Sequence, residues 1–255
     1  MTQAVFPDLK EASVFISGGV SGIGAALTEG FLAQGAKVAT VDLIEGGAFS
    51  DQMEETTGNR PLCIQCDITD TTAYQSAIWR AAEANGPITV LVNNAANDKR
   101  HDLLETDEAL WDWMQAVNIK HQFFAAQAVV PGMQAAGGGK IINFSSVSYM
   151  MGMSDFPAYT AAKSGILGLT RSLARSYGPD NIRVNAVMPG WVLTEKQKEL
   201  WVTPEALKVF EERMCLARHL EPVDMIGPVL FLASDASTVI TGQAVVVDGG
   251  VAVTG

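Results

Sequence analysis

Aromatic and basic residues are scarce in this chain of 255 residues. Aromatics make up 7% of it, so the core must consist mainly of Ala, Val, Ile and Leu, a mixture typical of buried parallel strands flanked by helices. Lys and Arg number 17 against 28 Asp and Glu, which gives a formal net charge of −11. Because so acidic a surface repels phosphate backbones and anionic lipids, we expect neither a nucleic-acid partner nor a membrane partner.

Cysteine is also rare, with Cys63, Cys66 and Cys215 only. The spacing of Cys63 and Cys66 is compatible with a zinc or redox motif. However, the surrounding segment is predicted to be a strand, which places the two side chains on opposite faces, and no second pair or nearby histidine completes a ligand set. We therefore expect buried, reduced thiols and no metal.

Long apolar runs are missing as well. No segment approaches the roughly 18 apolar residues of a spanning helix, and residues 1–8 lack the basic head and apolar stretch of a secretory signal. These absences predict a cytoplasmic protein. The length suits one α/β domain, and since no linker-like or repeated segment interrupts it, we expect residues 1–255 to form a single domain.

The chain does contain a regular alternation of short apolar runs and segments of helical periodicity. This alternation predicts parallel strands joined by right-handed helical crossovers, the doubly wound α/β (Rossmann) fold. The predicted strands are Ser13–Ser17, Lys37–Val41, Leu62–Cys66, Thr89–Val92, Lys140–Phe144, Arg183–Val187 and Ala244–Val247. Residues 190–221 break the alternation, which indicates either a helical substrate lid or a surface helical hairpin.

A glycine-rich turn lies between the first predicted strand and a helix. Glycines at positions 18, 22 and 24 permit a tight turn and close approach of the backbone to a pyrophosphate, which the helix amino terminus then binds. The second strand leads to Asp42, whose carboxylate can accept hydrogen bonds from ribose hydroxyls and would repel a ribose phosphate. The pattern predicts NAD rather than NADP, unless Asp42 is only a surface carboxylate.

A proton-transfer group is predicted at Tyr159 and Lys163, which share one face of a helix that begins near Pro157. A free tyrosine has a pKa of about 10, so we expect the neighbouring ammonium and an oxidised nicotinamide to lower it. Ser146 follows a central strand, where it would face the substrate crevice or merely cap the strand. Asn118 lies among apolar helix residues, either to support Lys163 through a backbone or water contact or as a solvated amide.

Taken in order, these motifs resemble the short-chain dehydrogenases/reductases over nearly the whole length. The matching segments are the Gly18/Gly22/Gly24 turn, Cys66-Asp67-Ile68-Thr69, Asn93-Asn94-Ala95-Ala96, Asn118, Ser146, Tyr159, Lys163, and Pro189-Gly190 followed by Thr194. The resemblance implies a seven-stranded parallel sheet of order 3-2-1-4-5-6-7 and a homotetramer built on long helices. It departs from the family at Ala96, where glycine is usual.

The resemblance also implies roles for residues. The catalytic tetrad would be Asn118, Ser146, Tyr159 and Lys163. Asp67 and Ile68 would approach the adenine, Asn94 would steady the central strand, and Thr194 would meet the carboxamide. The full predicted NAD site comprises Gly18, Ser21, Gly22, Ile23, Gly24, Asp42, Asp67, Ile68, Asn94, Ala95, Tyr159, Lys163, Pro189, Gly190, Val192 and Thr194.

Three segments of the sequence narrow the range of expected substrates. Residues 97–101, residues 196–205 and residues 214–216 look like segments of bacterial aldose 1-dehydrogenases of the D-xylose and L-arabinose type, although the charges could also belong to a solvated loop. Amides and charges suit a ligand with many hydroxyl groups. The predicted substrate residues are Asn97, Ser148, Trp191, Lys196 and Gln197.

The resulting hypothesis is NAD-dependent oxidation of an aldose at the anomeric carbon to a lactone. Two alternatives stay open. One is another reaction of the same family, such as reduction of a 3-oxoacyl thioester or a ketone. The other is a regulator that binds a dinucleotide without catalysis.

Overall fold

A computed structural model describes residues 4–253. Seven parallel strands form one sheet in the order β3-β2-β1-β4-β5-β6-β7, which confirms the predicted fold class and strand order. Two strands have the predicted bounds, and the other five differ from them by one or two residues, three of them at one end and two at both ends. The strands are β1 Ser13–Ser17, β2 Lys37–Asp42, β3 Leu62–Gln65, β4 Val90–Asn93, β5 Gly139–Phe144, β6 Ile182–Pro189 and β7 Ala244–Val247.

Helices cover both faces of the sheet. They are α1 Gly22–Ala33, α2 Gly47–Thr57, α3 Thr71–Asn85, α4 Glu108–Gln115, α5 His121–Ala135, α6 Pro157–Tyr177, α7 Glu195–Leu200, α8 Pro204–Glu211 and α9 Ile226–Ala233. A π-helical turn at Ala116–Lys120 joins α4 to α5 without a break. Helix α6 starts with Pro157 at its first position, as predicted, because proline lacks the N–H that a first turn leaves unpaired.

The core has two layers, one on each side of the sheet. Alternate residues of β1 point to opposite faces, so Ile16 packs with Phe31 of α1 on one side, and Phe15 packs with Tyr74 of α3 on the other. All five residues of β1 are buried. Because both faces are covered, functional groups collect at the carboxyl ends of the strands, where β1 and β4 are neighbours and the crossovers change direction.

The cysteine prediction was partly wrong. Strand β3 ends at Gln65, so Cys66 lies beyond it, and both Cys63 and Cys66 are half-buried rather than buried, while Cys215 is exposed. All three are free thiols.

Within residues 4–253, no group of three His, Cys, Asp or Glu side chains is placed to hold a metal ion. No helix in that range is long and apolar enough to cross a membrane. The predicted absence of a secretory signal falls partly on residues 1–3, which lie outside the described residues.

Candidate active site

A cavity of about 1480 Å³ opens at the carboxyl ends of the strands. This volume exceeds that of ordinary small-molecule pockets, and it suits a dinucleotide together with a substrate. It is lined by every residue of the predicted catalytic, cofactor and substrate sets except Gly24 and Asn118. The structure therefore brings together residues that the sequence spreads from position 18 to position 197.

The glycine turn leaves room beside the amino terminus of α1. Gly18 and Gly22 have φ angles of 66° and 52°, a region that favours glycine. A Cβ on Gly22 would lie 3.1 Å from the methyl carbon of Thr194, so a side chain would fill the gap between the turn and α7. The Ser21 side chain caps no N–H of α1. These features fit a bound pyrophosphate.

Gly24 stands behind this turn rather than in the cavity. A Cβ there would collide with the carbonyl oxygen of Gly18, so the glycine serves the close packing of helix against turn. Its contribution to cofactor binding stays a prediction.

Two carboxylates, those of Asp42 and Asp67, line the same cavity. Asp42 accepts hydrogen bonds from the backbone N–H of Val20 (3.3 Å) and of Leu43 (2.8 Å), which holds it against the glycine turn. Asp67 accepts from the N–H and hydroxyl of Thr69 and stays exposed at the cavity wall, with buried Ile68 beside it. An adenosine placed on the turn would meet these acceptors.

Asn94 and Ser17 tie β1 to the chain after β4. The Asn94 amide donates to the carbonyls of Ser17 and Gly18, both at 3.0 Å. The Ser17 hydroxyl in turn accepts from the backbone N–H groups of Asn94 and Ala95, both at 3.1 Å. This network fixes the glycine turn relative to the neighbouring strand end.

Tyr159 and Lys163 face each other on α6. The Lys163 ammonium lies 5.5 Å from the centre of the Tyr159 ring and donates to the carbonyl of Phe144 at 2.9 Å. Burial lowers the pKa of Lys163 to about 7. Burial also raises the pKa of Tyr159, and the charge of Asp98 raises it further, while Ser146 and Arg100 act in the opposite direction. The predicted lowering of the tyrosine pKa is therefore not produced by the protein's own groups.

The serines after β5 line the cavity beside Tyr159. Ser146 accepts from the N–H of Ser148 at 3.1 Å and so caps a short 3-10 turn, Val147–Tyr149. Capping and a position on the cavity wall thus coexist in Ser146. The Ser148 hydroxyl is buried at that wall without a hydrogen-bond partner, which leaves it available to a ligand.

Asn118 is fully buried in the π-helical turn, which excludes the solvated amide. Its side chain accepts from the N–H of Asn97 at 3.0 Å and donates to the Asn97 carbonyl at 3.0 Å. It also donates to the carbonyl of Met114 at 2.9 Å. Asn118 therefore holds the loop that follows β4, and its predicted support of Lys163 stays a prediction.

Comparison with known proteins identifies the family to which the chain belongs. The family model described as enoyl-(acyl carrier protein) reductase matches residues 18–252. The chain belongs to the short-chain dehydrogenase/reductase family. It is an oxidoreductase that acts on CH–OH groups, and the family uses nicotinamide dinucleotides.

Several members of the short-chain dehydrogenases/reductases are similar over their full length. A protein named probable galactose dehydrogenase from Rhizobium meliloti is 49% identical over 248 residues, 96% of this chain and 97% of its own. D-xylose 1-dehydrogenase from Caulobacter vibrioides is 43% identical over 252 residues, 98% and 99%. The solved structure of a doubly substituted short-chain dehydrogenase/reductase from Serratia marcescens matches with a TM-score of 0.88 at 30% identity, covering 96% and 100%.

Helix α7 lines the cavity of this short-chain dehydrogenase/reductase and contacts the loop that follows β4. Gln197 of α7 accepts from the Trp191 indole N–H at 2.9 Å and donates to the Asp98 carboxylate at 2.9 Å. Thr194 caps α7 by accepting from the N–H of Gln197. Lys196 lines the same wall but is exposed. Residues 190–221 and the loop after β4 are thus joined by side chains 99 residues apart in the sequence.

Sequence reasoning missed Asp98, Arg100 and Trp201 as site residues. All three line the cavity, and Arg100 stacks between the rings of Phe156 and Trp201. Asp98 and Arg100 stood within the segment 97–101 that suggested a sugar, but nothing local distinguished them from solvated charges. Only their burial beside Tyr159 does so.

Proposed function

We propose that this enzyme oxidises an aldose at its anomeric carbon to a lactone, with NAD as cofactor. One observation carries the proposal. The Tyr159 hydroxyl and Ser146 lie in one cavity, between a glycine turn that fits a dinucleotide and a polar wall formed by the lid and the loop after β4. The names of the relatives, probable galactose dehydrogenase and D-xylose 1-dehydrogenase, support a sugar as the substrate.

The distribution of basic residues supports NAD over NADP. Of the described residues that line the cavity, the basic ones are Arg100, Lys163, Lys196 and Arg213, and none of them forms a salt bridge with Asp42. The end near Asp42 carries a carboxylate instead, with apolar Leu43 beside it. A 2′-phosphate there would meet a negative charge and no cation, so the phosphate-free dinucleotide binds better.

Proton transfer falls to Tyr159. When bound, the oxidised nicotinamide supplies the acceptor for the hydride that leaves the anomeric carbon. The Tyr159 hydroxyl, ionised for this step, takes the proton of the substrate hydroxyl, and Ser146 donates a hydrogen bond to the same oxygen as its charge changes. The protein's own groups raise the pKa of Tyr159, so the phenolate would depend on the positive charge of the oxidised nicotinamide together with the fraction of Lys163 that is protonated near its pKa of about 7.

The decisive experiment replaces this hydroxyl. Tyr159→Phe should lower kcat/KM by about 10²- to 10⁴-fold, the usual contribution of a positioned acid or base. The assay mixes enzyme, NAD and a panel of aldoses and follows NADH absorbance, while calorimetry measures NAD affinity, which should not change. Tyr149→Phe is the matched control, because that half-buried hydroxyl contacts only the sulfur of Met188 at 3.9 Å. Activity retained by Tyr159→Phe would refute the mechanism.

A second candidate is the reduction of a 3-oxoacyl thioester or a ketone. The description of the family model, which names an acyl-carrier-protein reductase, favours it. The same panel tests it when 3-oxoacyl thioesters with NADH and NADPH are added. Turnover of a thioester with NADPH, without oxidation of any aldose, would establish this candidate in place of ours.

The proposal also covers domain organisation, cellular location and oligomeric state. We propose that residues 1–255 form a single domain with a lid at about 190–221, and that the enzyme is a cytoplasmic homotetramer. Trp111 of α4 and Phe123 of α5 are large exposed apolar side chains that support association through these helices. Light scattering on the purified protein measures the mass, and a monomer would contradict the tetramer.

A further inference from the structure

Two opposite charges at the substrate end of the cavity are not used by the mechanism above. Asp98 and Arg100 lie on the loop between β4 and α4, are half-buried, and both line the cavity. Within residues 4–253 neither forms a salt bridge, with the other or with any other residue. A partly desolvated charge without a counter-charge is costly, so a ligand is the natural partner for each.

Arg100 is held in place by stacking rather than by hydrogen bonds. Its guanidinium carbon lies 4.0 Å from the centre of the Phe156 ring and 5.0 Å from the centre of the Trp201 ring. Its Nη1 and the indole Nε1 of Trp201 are both buried without a hydrogen-bond partner. Both atoms can only donate, so the partner that fits them is an oxygen acceptor.

Asp98 is oriented from the lid. One oxygen, Oδ2, accepts from the Gln197 amide at 2.9 Å, and the Gln197 oxygen accepts from the Trp191 indole at 2.9 Å. This chain fixes the carboxylate while its other oxygen, Oδ1, stays available for a donor. Both charges act on the reacting group, since Asp98 raises the pKa of Tyr159 and Arg100 lowers it.

We propose that Asp98, Arg100 and Trp201 form a diol subsite that determines substrate specificity. The Asp98 carboxylate accepts the hydrogen of one sugar hydroxyl, and the Arg100 guanidinium and Trp201 indole donate to an oxygen on the adjacent carbon. An acceptor and a donor two residues apart on one loop, both at the wall of the same cavity, match two neighbouring hydroxyl groups, each of which can donate and accept. Because the subsite carries one charge of each sign, it gives a substrate carboxylate no net attraction, and the expected ligand class is an uncharged polyhydroxylated ring. This inference rests on the proposed function.

The test compares residue deletions with hydroxyl deletions. Asp98→Asn keeps an oxygen for the Gln197 amide but removes the charge, and Arg100→Met keeps the length of the side chain but removes its donors. With the aldose that the wild-type enzyme oxidises best, each should lower kcat/KM by about 10- to 100-fold, as for a lost hydrogen bond to a charged group. Lys99→Met is the matched control, because Lys99 is exposed on the same loop and should behave like the wild type.

Monodeoxy analogues of that aldose then locate the contact. For one analogue, the Asp98→Asn penalty should fall to about twofold or less, because the hydroxyl that Asp98 binds is already gone. The Arg100→Met penalty should fall in the same way for the analogue that lacks the neighbouring hydroxyl. Equal penalties with the parent sugar and with every analogue, or variants as active as the wild type, would overturn the subsite. A uronate oxidised better than its parent aldose would overturn the uncharged class.

Folding and function are checked separately. NAD affinity and the far-ultraviolet circular dichroism of both variants should equal those of the wild type, and Arg100→Lys, which restores the charge without the planar donors, should stay impaired. If the wild-type enzyme oxidises no aldose, the proposed function fails. Binding of the same sugars, followed by quenching of tryptophan fluorescence, then decides the subsite: saturable quenching weakened by Asp98→Asn supports it, and quenching indifferent to the substitution overturns it.

Discussion

Replacement of Asn118 by leucine tests whether this residue builds the substrate loop. Leucine has a similar volume but none of the amide's hydrogen-bonding groups. Asn118 is fully buried and makes three side-chain hydrogen bonds, two of them to the backbone N–H and carbonyl of Asn97. Two of the three lost bonds fall on Asn97, which lies in the loop between β4 and α4 that also carries Asp98 and Arg100.

The expected magnitude follows from these bonds. Each hydrogen bond contributes about 1 kcal/mol, and a half-buried backbone group left without a partner costs about 1–3 kcal/mol. Asn118→Leu should therefore lower the free energy of unfolding by about 3 kcal/mol. For a protein of this size, 1 kcal/mol changes Tm by about 2–4 °C, so Tm should fall by about 6–12 °C. The displaced loop should raise KM for the sugar and leave NAD affinity unchanged.

The assay is urea unfolding, followed by circular dichroism, combined with steady-state kinetics. Gln115→Leu is the matched control: it also removes a side-chain amide, at the last residue of α4, but that amide donates to a single carbonyl, that of Ala158, at 3.0 Å. Its effect should be about 1 kcal/mol. If Asn118→Leu destabilises no more than Gln115→Leu, or leaves KM for the sugar unchanged, the loop-building role is refuted.

Three further predictions concern charge. Asp42→Ser should raise the ratio of kcat/KM with NADP to that with NAD by more than about tenfold, because the repelling carboxylate is gone; an unchanged ratio in a kinetic comparison would contradict it. Burial lowers the pKa of His121 to about 3, so between pH 6.5 and 3 the unfolded protein binds a proton that the folded protein does not. The free energy of unfolding should therefore fall below pH 6.5, by about 2 kcal/mol at pH 5. Urea titrations measure this loss, which should be absent in His121→Leu. Lys163 also has a lowered pKa, of about 7, so its burial destabilises the fold most below pH 7 and least above about 10.5. Lys163→Met should therefore have a higher free energy of unfolding than the wild type, and this difference should shrink by about 2 to 3 kcal/mol between pH 7 and 9. A difference that stays constant with pH would contradict the lowered pKa.

Local patterns determined much of this protein. The apolar runs placed all seven strands because a buried parallel strand needs a continuous apolar segment whatever its neighbours are. The positive φ angles of Gly18 and Gly22 follow from the turn itself. The approach of Lys163 to within 5.5 Å of the Tyr159 ring follows from a separation of four residues on one helix.

Only the tertiary structure determined which side chains meet at the polar wall of the cavity and how burial shifts the pKa values of the groups there. Asp98 and Gln197 are 99 residues apart in the sequence, and Arg100 and Trp201 are similarly distant, so no local spacing predicts either contact. The raised pKa of Tyr159 comes chiefly from burial. Desolvation depends on all the chain segments that surround a group, whereas the position of a residue in a helix specifies only its neighbours in the same helix. The direction of the pKa shift therefore could not be predicted from the sequence.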